Sequence, residues 1–90
     1  MKDNRPVVKS LEQTCEACPS QWEGEFEDGS YFYIRYRWGR LRAGKGHSLS
    51  EAIQDQDTYV TYTGDCLSGY LSQKEMITIL SEIFNFNKLA

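Results

Sequence analysis

Apolar and polar residues alternate through the middle of the chain. From Tyr31 to Trp38, an extended backbone puts Phe32, Ile34, Tyr36 and Trp38 on one side and Tyr31, Tyr33, Arg35 and Arg37 on the other. The stretch from Gln21 to Glu27 repeats the pattern, with Trp22, Gly24 and Phe26 set against Glu23, Glu25 and Glu27. Thr58–Thr63 is rich in β-branched and aromatic residues and predicts a further strand, closed by Gly64 and Asp65. Near the C-terminus the period changes. Met76, Ile77, Leu80, Ile83 and Phe84 follow one face of a helix, Ser72 and Glu75 stand at capping-box spacing, and Leu71 can staple onto Met76. Ser48 and Glu51 repeat that spacing and predict a short helix within His47–Asp57.

Turn chemistry sets the register. A two-residue loop at Asp28-Gly29 would put Glu23 and Glu25 on the face of Phe32 and Ile34, burying carboxylates. A three-residue loop, Glu27 to Gly29 with Gly29 left-handed, aligns Trp22, Gly24 and Phe26 with Phe32, Ile34 and Tyr36 instead. After Trp38, a hairpin opening on Gly39 as a type II′ turn would pair Trp38 with Leu41 and Tyr36 with Ala43 on the core face. Arg37 would then oppose Arg42 outside. Like charges so placed repel, and a nearby Glu23 or Glu25, or an external anion, would relieve them.

These elements predict an α+β fold: an antiparallel meander of three to four strands with one C-terminal helix packed on one face. The helix covers Trp22, Phe26, Phe32, Ile34, Trp38 and Val60. Residues 1–14, polar apart from Pro6, Val7, Val8 and Leu11, read as a flexible arm, and 15–90 as a single domain. Ninety residues suffice for one modest core, and a hydrophobic fraction of 40% argues against disorder throughout.

Charge sharpens the picture. The net charge is −3, yet residues 31–47 hold Arg35, Arg37, Arg40, Arg42 and Lys45 and no acid, which leaves −8 on the rest. Such polarity suits steering of a charged partner. No apolar run approaches the roughly 20 residues that span a bilayer, and the first residues lack the apolar core of a secretion signal. A cytoplasmic location without membrane attachment is expected, and three cysteines, an odd number, fit a reducing compartment.

Cys15 and Cys18 have the spacing of half a zinc site, and Cys66 with His47 could complete it, because thiolate and imidazole suit a tetrahedral, borderline-soft ion. Apart from that zinc alternative, no cofactor is expected. A redox role for the pair is disfavoured because Pro19 and a strand follow Cys18, where a thiol-activating helix would be needed. No GxSxG, HExxH or complete phosphate-loop pattern occurs, so an enzyme is not expected.

The segments Cys18–Gly24 (CPSQWEG) and Tyr33–Leu41 (YIRYRWGRL) together resemble a signature of small uncharacterised bacterial and phage-related proteins. That resemblance implies a compact bacterial domain built around this hairpin and brings no activity with it. The residues themselves point to a non-enzymatic interaction domain, monomeric or homodimeric, that meets a protein partner through Tyr31, Tyr33, Arg35, Arg37 and Arg42. Single-stranded nucleic acid on the same face is the alternative, with tyrosines stacking bases and arginines holding phosphates.

Overall fold

Five antiparallel strands follow one another across a single sheet in the computed structural model, which describes residues 4–17, 19–62 and 70–89. They are β1 (Val8–Cys15), β2 (Ser20–Phe26), β3 (Tyr31–Arg37), β4 (Arg40–Gly46) and β5 (Tyr59–Tyr62). Helix α1 (Leu49–Gln54) separates β4 from β5, helix α2 (Gln73–Leu80) follows, and a 3-10 turn occupies Asn87–Leu89. The α+β class and the meander agree with the sequence. The strand count is five rather than three or four, and two helices pack on the sheet rather than the C-terminal one alone, the other being the short helix expected within His47–Asp57. No helix among the described residues is long and apolar enough to cross a membrane.

The added strand is β1, within the segment whose polarity suggested a loose arm. An edge strand needs one backbone partner and little apolar surface. β1 pairs along β2 from Val8 opposite Phe26 to Cys15 opposite Gln21, and only Val8 is fully buried. The chain just before it is also held. Val8 N–H donates to Asn85 O at 2.8 Å, Asn85 N–H to Pro6 O at 2.9 Å, and Glu27 N–H to Val7 O at 2.9 Å.

The first hairpin has the three-residue loop. Trp22 pairs with Ile34, Glu23 with Tyr33 and Gly24 with Phe32, while Gly29 adopts φ +88°. The second hairpin differs from the expected register by two residues. Tyr36 pairs with Leu41, Arg37 with Arg40 and Arg35 with Arg42, so the loop is Trp38-Gly39. Both loop residues have positive φ, 57° and 73°, which defines a type I′ rather than a type II′ turn. A two-residue shift preserves the inward side of Leu41 and Ala43 but removes Trp38 from the core: it is 58% exposed. Val60 also lies outside, opposite Arg42, whereas its neighbour Tyr59 packs against the core.

One sheet face carries that core. Val8, Trp22, Phe26, Phe32, Ile34, Tyr36, Leu41 and Ala43 meet Leu71, Met76, Leu80, Phe84 and Phe86. Phe84 lies past the end of α2, with ring centroids 5.1 Å from Phe26 and 5.8 Å from Phe32. The helix is started by Ser72, whose hydroxyl accepts from Glu75 N–H at 3.1 Å and donates to the Glu75 carboxylate at 2.9 Å. Buried Ser20 fixes the approach to α2, accepting from Leu71 N–H at 3.1 Å and donating to Glu16 O at 2.6 Å.

Helix α1 lies on the opposite face. Ser48 caps it, accepting from Glu51 N–H at 3.2 Å, and the Glu51 carboxylate accepts from His47 N–H at 3.2 Å. Gly44 and Gly46, two residues apart in β4, make its close approach possible. A Cβ on Gly44 would press on Ala52 O and stand 2.7 Å from Asp55 O, and one on Gly46 would stand 3.0 Å from Ala52 N. The Asp55 carboxylate adds bonds from Thr58 Oγ1 at 2.6 Å and Lys45 N–H at 3.3 Å, which hold its carboxyl below the ordinary aspartate value. Gly44→Ala is therefore expected to cost about 1–3 kcal/mol, because the obstacle is helix backbone. Hydrogen exchange should show α1 amides opening sooner in this variant while α2 amides keep their protection relative to global unfolding.

Candidate anion-binding face

Because α1 occupies only one end of the outer face, that face is divided. Tyr33 pairs with Gly44 at the covered end and is 7% exposed. Burial pushes its phenol above the ordinary value, with Arg35 pulling the other way. Tyr31 lies further along, lining a shallow depression with Glu12, Glu23, Glu25 and Leu49. Glu12 and Glu23 face each other across β1 and β2 there, so this end of the sheet is acidic.

The other end is basic. Outward positions of β3 and β4 bring Arg35 opposite Arg42 and Arg37 opposite Arg40. Strand geometry spaces such partners about 4.5–5.5 Å apart across the ladder and about 6.6 Å along it, so four arginines rise from the corners of a small rectangle. With Trp38 they line an open depression of about 270 Å³. β5 extends it, placing Tyr62 opposite Arg40 and Val60 opposite Arg42. Tyr62 is 72% exposed.

Two of the guanidinium groups have neighbours that orient them. Arg37 sits 5.4 Å from the centroid of the Trp38 ring, a cation–π distance. Arg42 Nε lies 3.2 Å from Asp57 Oδ1, a carboxylate on the loop between α1 and β5. Among the described residues, Arg35, Arg37 and Arg40 make no ion pair, and Glu23 and Glu25 do not supply the relief expected of them. An ordinary solvated sheet face alternates sign across its ladder, because like charges directly opposite are destabilising. Two facing Arg pairs in succession depart from that rule and leave a concentrated positive field.

Of the residues singled out by the sequence, Arg35, Arg37 and Arg42 are brought together; Tyr33 adjoins Arg35 on the same face but is buried at the end that α1 covers, and Tyr31 lies further along beside the acidic depression. Arg40, Trp38 and Tyr62 join the basic end. Arg40 and Trp38 were missed because the register error placed one in the turn and the other in the core, and Tyr62 because the expected core position of Val60 puts its i+2 neighbour on the core face as well. The candidate metal ligands are not assembled within the described residues. Cys15 is half-buried in the row of Gln21 and Arg35, and its thiol donates to Ala17 O at 3.5 Å. His47 follows the Tyr31–Gly46 pair, which is itself four strand positions, on the order of 13 Å along the sheet, from the Arg35 row. That span excludes His47 from sharing a zinc ion with Cys15, whose bonds are about 2.0–2.3 Å. Cys18 and Cys66 lie outside the described residues.

No family model matches the chain, and no curated protein or solved structure is significantly similar to it.

Proposed function

We propose that this chain is a non-enzymatic interaction domain that docks an acidic segment of a protein partner onto Arg35, Arg37, Arg40 and Arg42. The observation that carries the reading is the pair of facing Arg–Arg contacts, in which the described residues supply one carboxylate, Asp57, to four guanidinium groups. Their mutual repulsion lowers the cost of bringing in an anion. Strand geometry adds a match of scale. Side chains at alternate positions of an extended peptide recur about every 6.6 Å, the same repeat that separates the two Arg rows. Exposed Trp38 and Tyr62 at the margins supply the aromatic anchors typical of protein interfaces.

A second reading, single-stranded nucleic acid, is supported by those same aromatics, which replace Tyr31 and Tyr33 as candidate stacking surfaces beside the arginines. Fluorescence anisotropy separates the two. A labelled glutamate-rich peptide should bind saturably at low salt and lose affinity when Arg35 becomes Glu. A labelled single-stranded oligonucleotide should bind weakly, because the acidic end of the face, with Glu12, Glu23 and Glu25, repels an extended phosphate chain. Tight oligonucleotide binding that falls steeply with salt and ignores the acidic peptide would transfer the function to nucleic acid.

A further inference from the structure

Deepening the proposal above, on which it rests, we infer that the arginine depression recognises a phosphomonoester: a phosphorylated serine or threonine on the protein partner. The argument begins with valence. A carboxylate carries one charge and two oxygens, which one Arg fork satisfies. Each row presents two guanidinium groups from opposite strands. In the Arg37–Arg40 row, where the described residues supply no carboxylate, a carboxylate docked on one leaves the facing one uncompensated, and in the Arg35–Arg42 row only the exposed Asp57 stands in for a ligand. A phosphomonoester carries about −1.5 to −2 charges at neutral pH and three acceptor oxygens, and can engage both members of a facing pair at once.

Charge and space agree with this assignment. Among the described residues, four guanidinium groups against the Asp57 carboxylate leave the depression with three positive charges in excess. At about 270 Å³, it has room for a phosphate group and the side chain that bears it. The stacking of Arg37 on Trp38 and the pairing of Arg42 with Asp57 hold two diagonal corners before the ligand arrives, which reduces the ordering cost of binding. Asp57 is the internal competitor. It is 72% exposed, so an incoming phosphate can displace it from Arg42 without uncovering any core surface.

The test uses the full chain and three labelled peptides of one Gly/Ser sequence, bearing at a single central position phosphoserine, glutamate or unmodified serine. Binding is followed by anisotropy, with inorganic phosphate as a competitor and a labelled oligonucleotide in a parallel titration. The phosphoserine peptide should bind at least about tenfold more tightly than the glutamate peptide, and inorganic phosphate should displace it. Its affinity should fall as the pH drops through about 6, where the phosphate loses its second charge. Arg35→Gln should remove the preference, and Asp57→Asn should strengthen binding. Melting curves of both variants should stay near the parent's, since both side chains lie on the outer surface.

Equal affinity for the phosphoserine and glutamate peptides overturns the phosphate assignment while leaving the acidic-segment reading in place. Phosphoserine binding that is indifferent to Arg35→Gln overturns the site. Failure of both peptides overturns the assignment together with the reading beneath it, and oligonucleotide binding in that case names nucleic acid as the ligand.

Discussion

Ile34→Ala is expected to lower the unfolding free energy by about 2–5 kcal/mol, a large share of the roughly 5–15 kcal/mol that holds a domain folded. Ile34 is fully buried at the centre of the sheet, between Trp22 of β2 and Ala43 of β4. It belongs to the cluster that includes Met76 and Leu80 of α2. Truncation removes three carbons from a place where neither strand nor helix can close the gap without breaking the ladder. Urea denaturation should show a lower midpoint at an unchanged slope. Val60→Ala provides the contrast: as an exposed residue of the outer face, it should change stability by no more than about 0.5 kcal/mol. Equal effects at the two positions would contradict the assignment of faces.

Arg35→Glu should abolish binding of an anionic partner without harming the fold. It removes one positive charge and adds a negative one inside a depression whose affinity depends on field, so a loss of at least about tenfold, or 1.4 kcal/mol, is expected. Folding should respond in the opposite direction. The repulsive Arg35–Arg42 contact becomes an attractive cross-strand pair, worth about 0.2–1 kcal/mol. A thermal melt that is unchanged or raised, alongside lost binding, marks a surface shaped for a ligand at some expense of stability. Lost binding together with a lowered melt would assign these arginines a structural role.

The elements read correctly from the sequence are those whose signals are local. Ser48 with Glu51 and Ser72 with Glu75 announce helix starts because the capping geometry involves residues three apart. The β2–β3 register is legible because the wrong one buries Glu23 and Glu25, a penalty visible without coordinates. The misread parts depend on relations between distant segments. β1 has almost no apolar pattern and owes its form to backbone pairing with β2 and to Asn85. Trp38 looks like a core residue until the turn forces it to positive φ, where a bulky side chain is unusual.

The division of the outer face was the costliest omission. Gly44 and Gly46 are the signal for it, since glycines inside a strand mark where another backbone approaches closely. Taken that way, they would have placed α1 beside Tyr31 and Tyr33 and withdrawn those tyrosines from the binding face. The arginines survived the register error because a shift of two residues preserves which side each one faces. Arg40 is the exception: it moved from the turn into the ladder.

Side-chain NMR tests the central claim, that the Arg35–Arg42 and Arg37–Arg40 pairs form an anion-binding site. The Nε–Hε signals of the arginines and the indole signals of Trp22 and Trp38 can be followed together while a phosphoserine or glutamate-rich peptide is added. The largest saturable shifts should fall on Arg35, Arg37, Arg40, Arg42 and the Trp38 indole, with buried Trp22 unmoved. Shifts centred instead on Tyr31, Glu12, Glu23 and Glu25, with the arginine signals unchanged, would contradict the site.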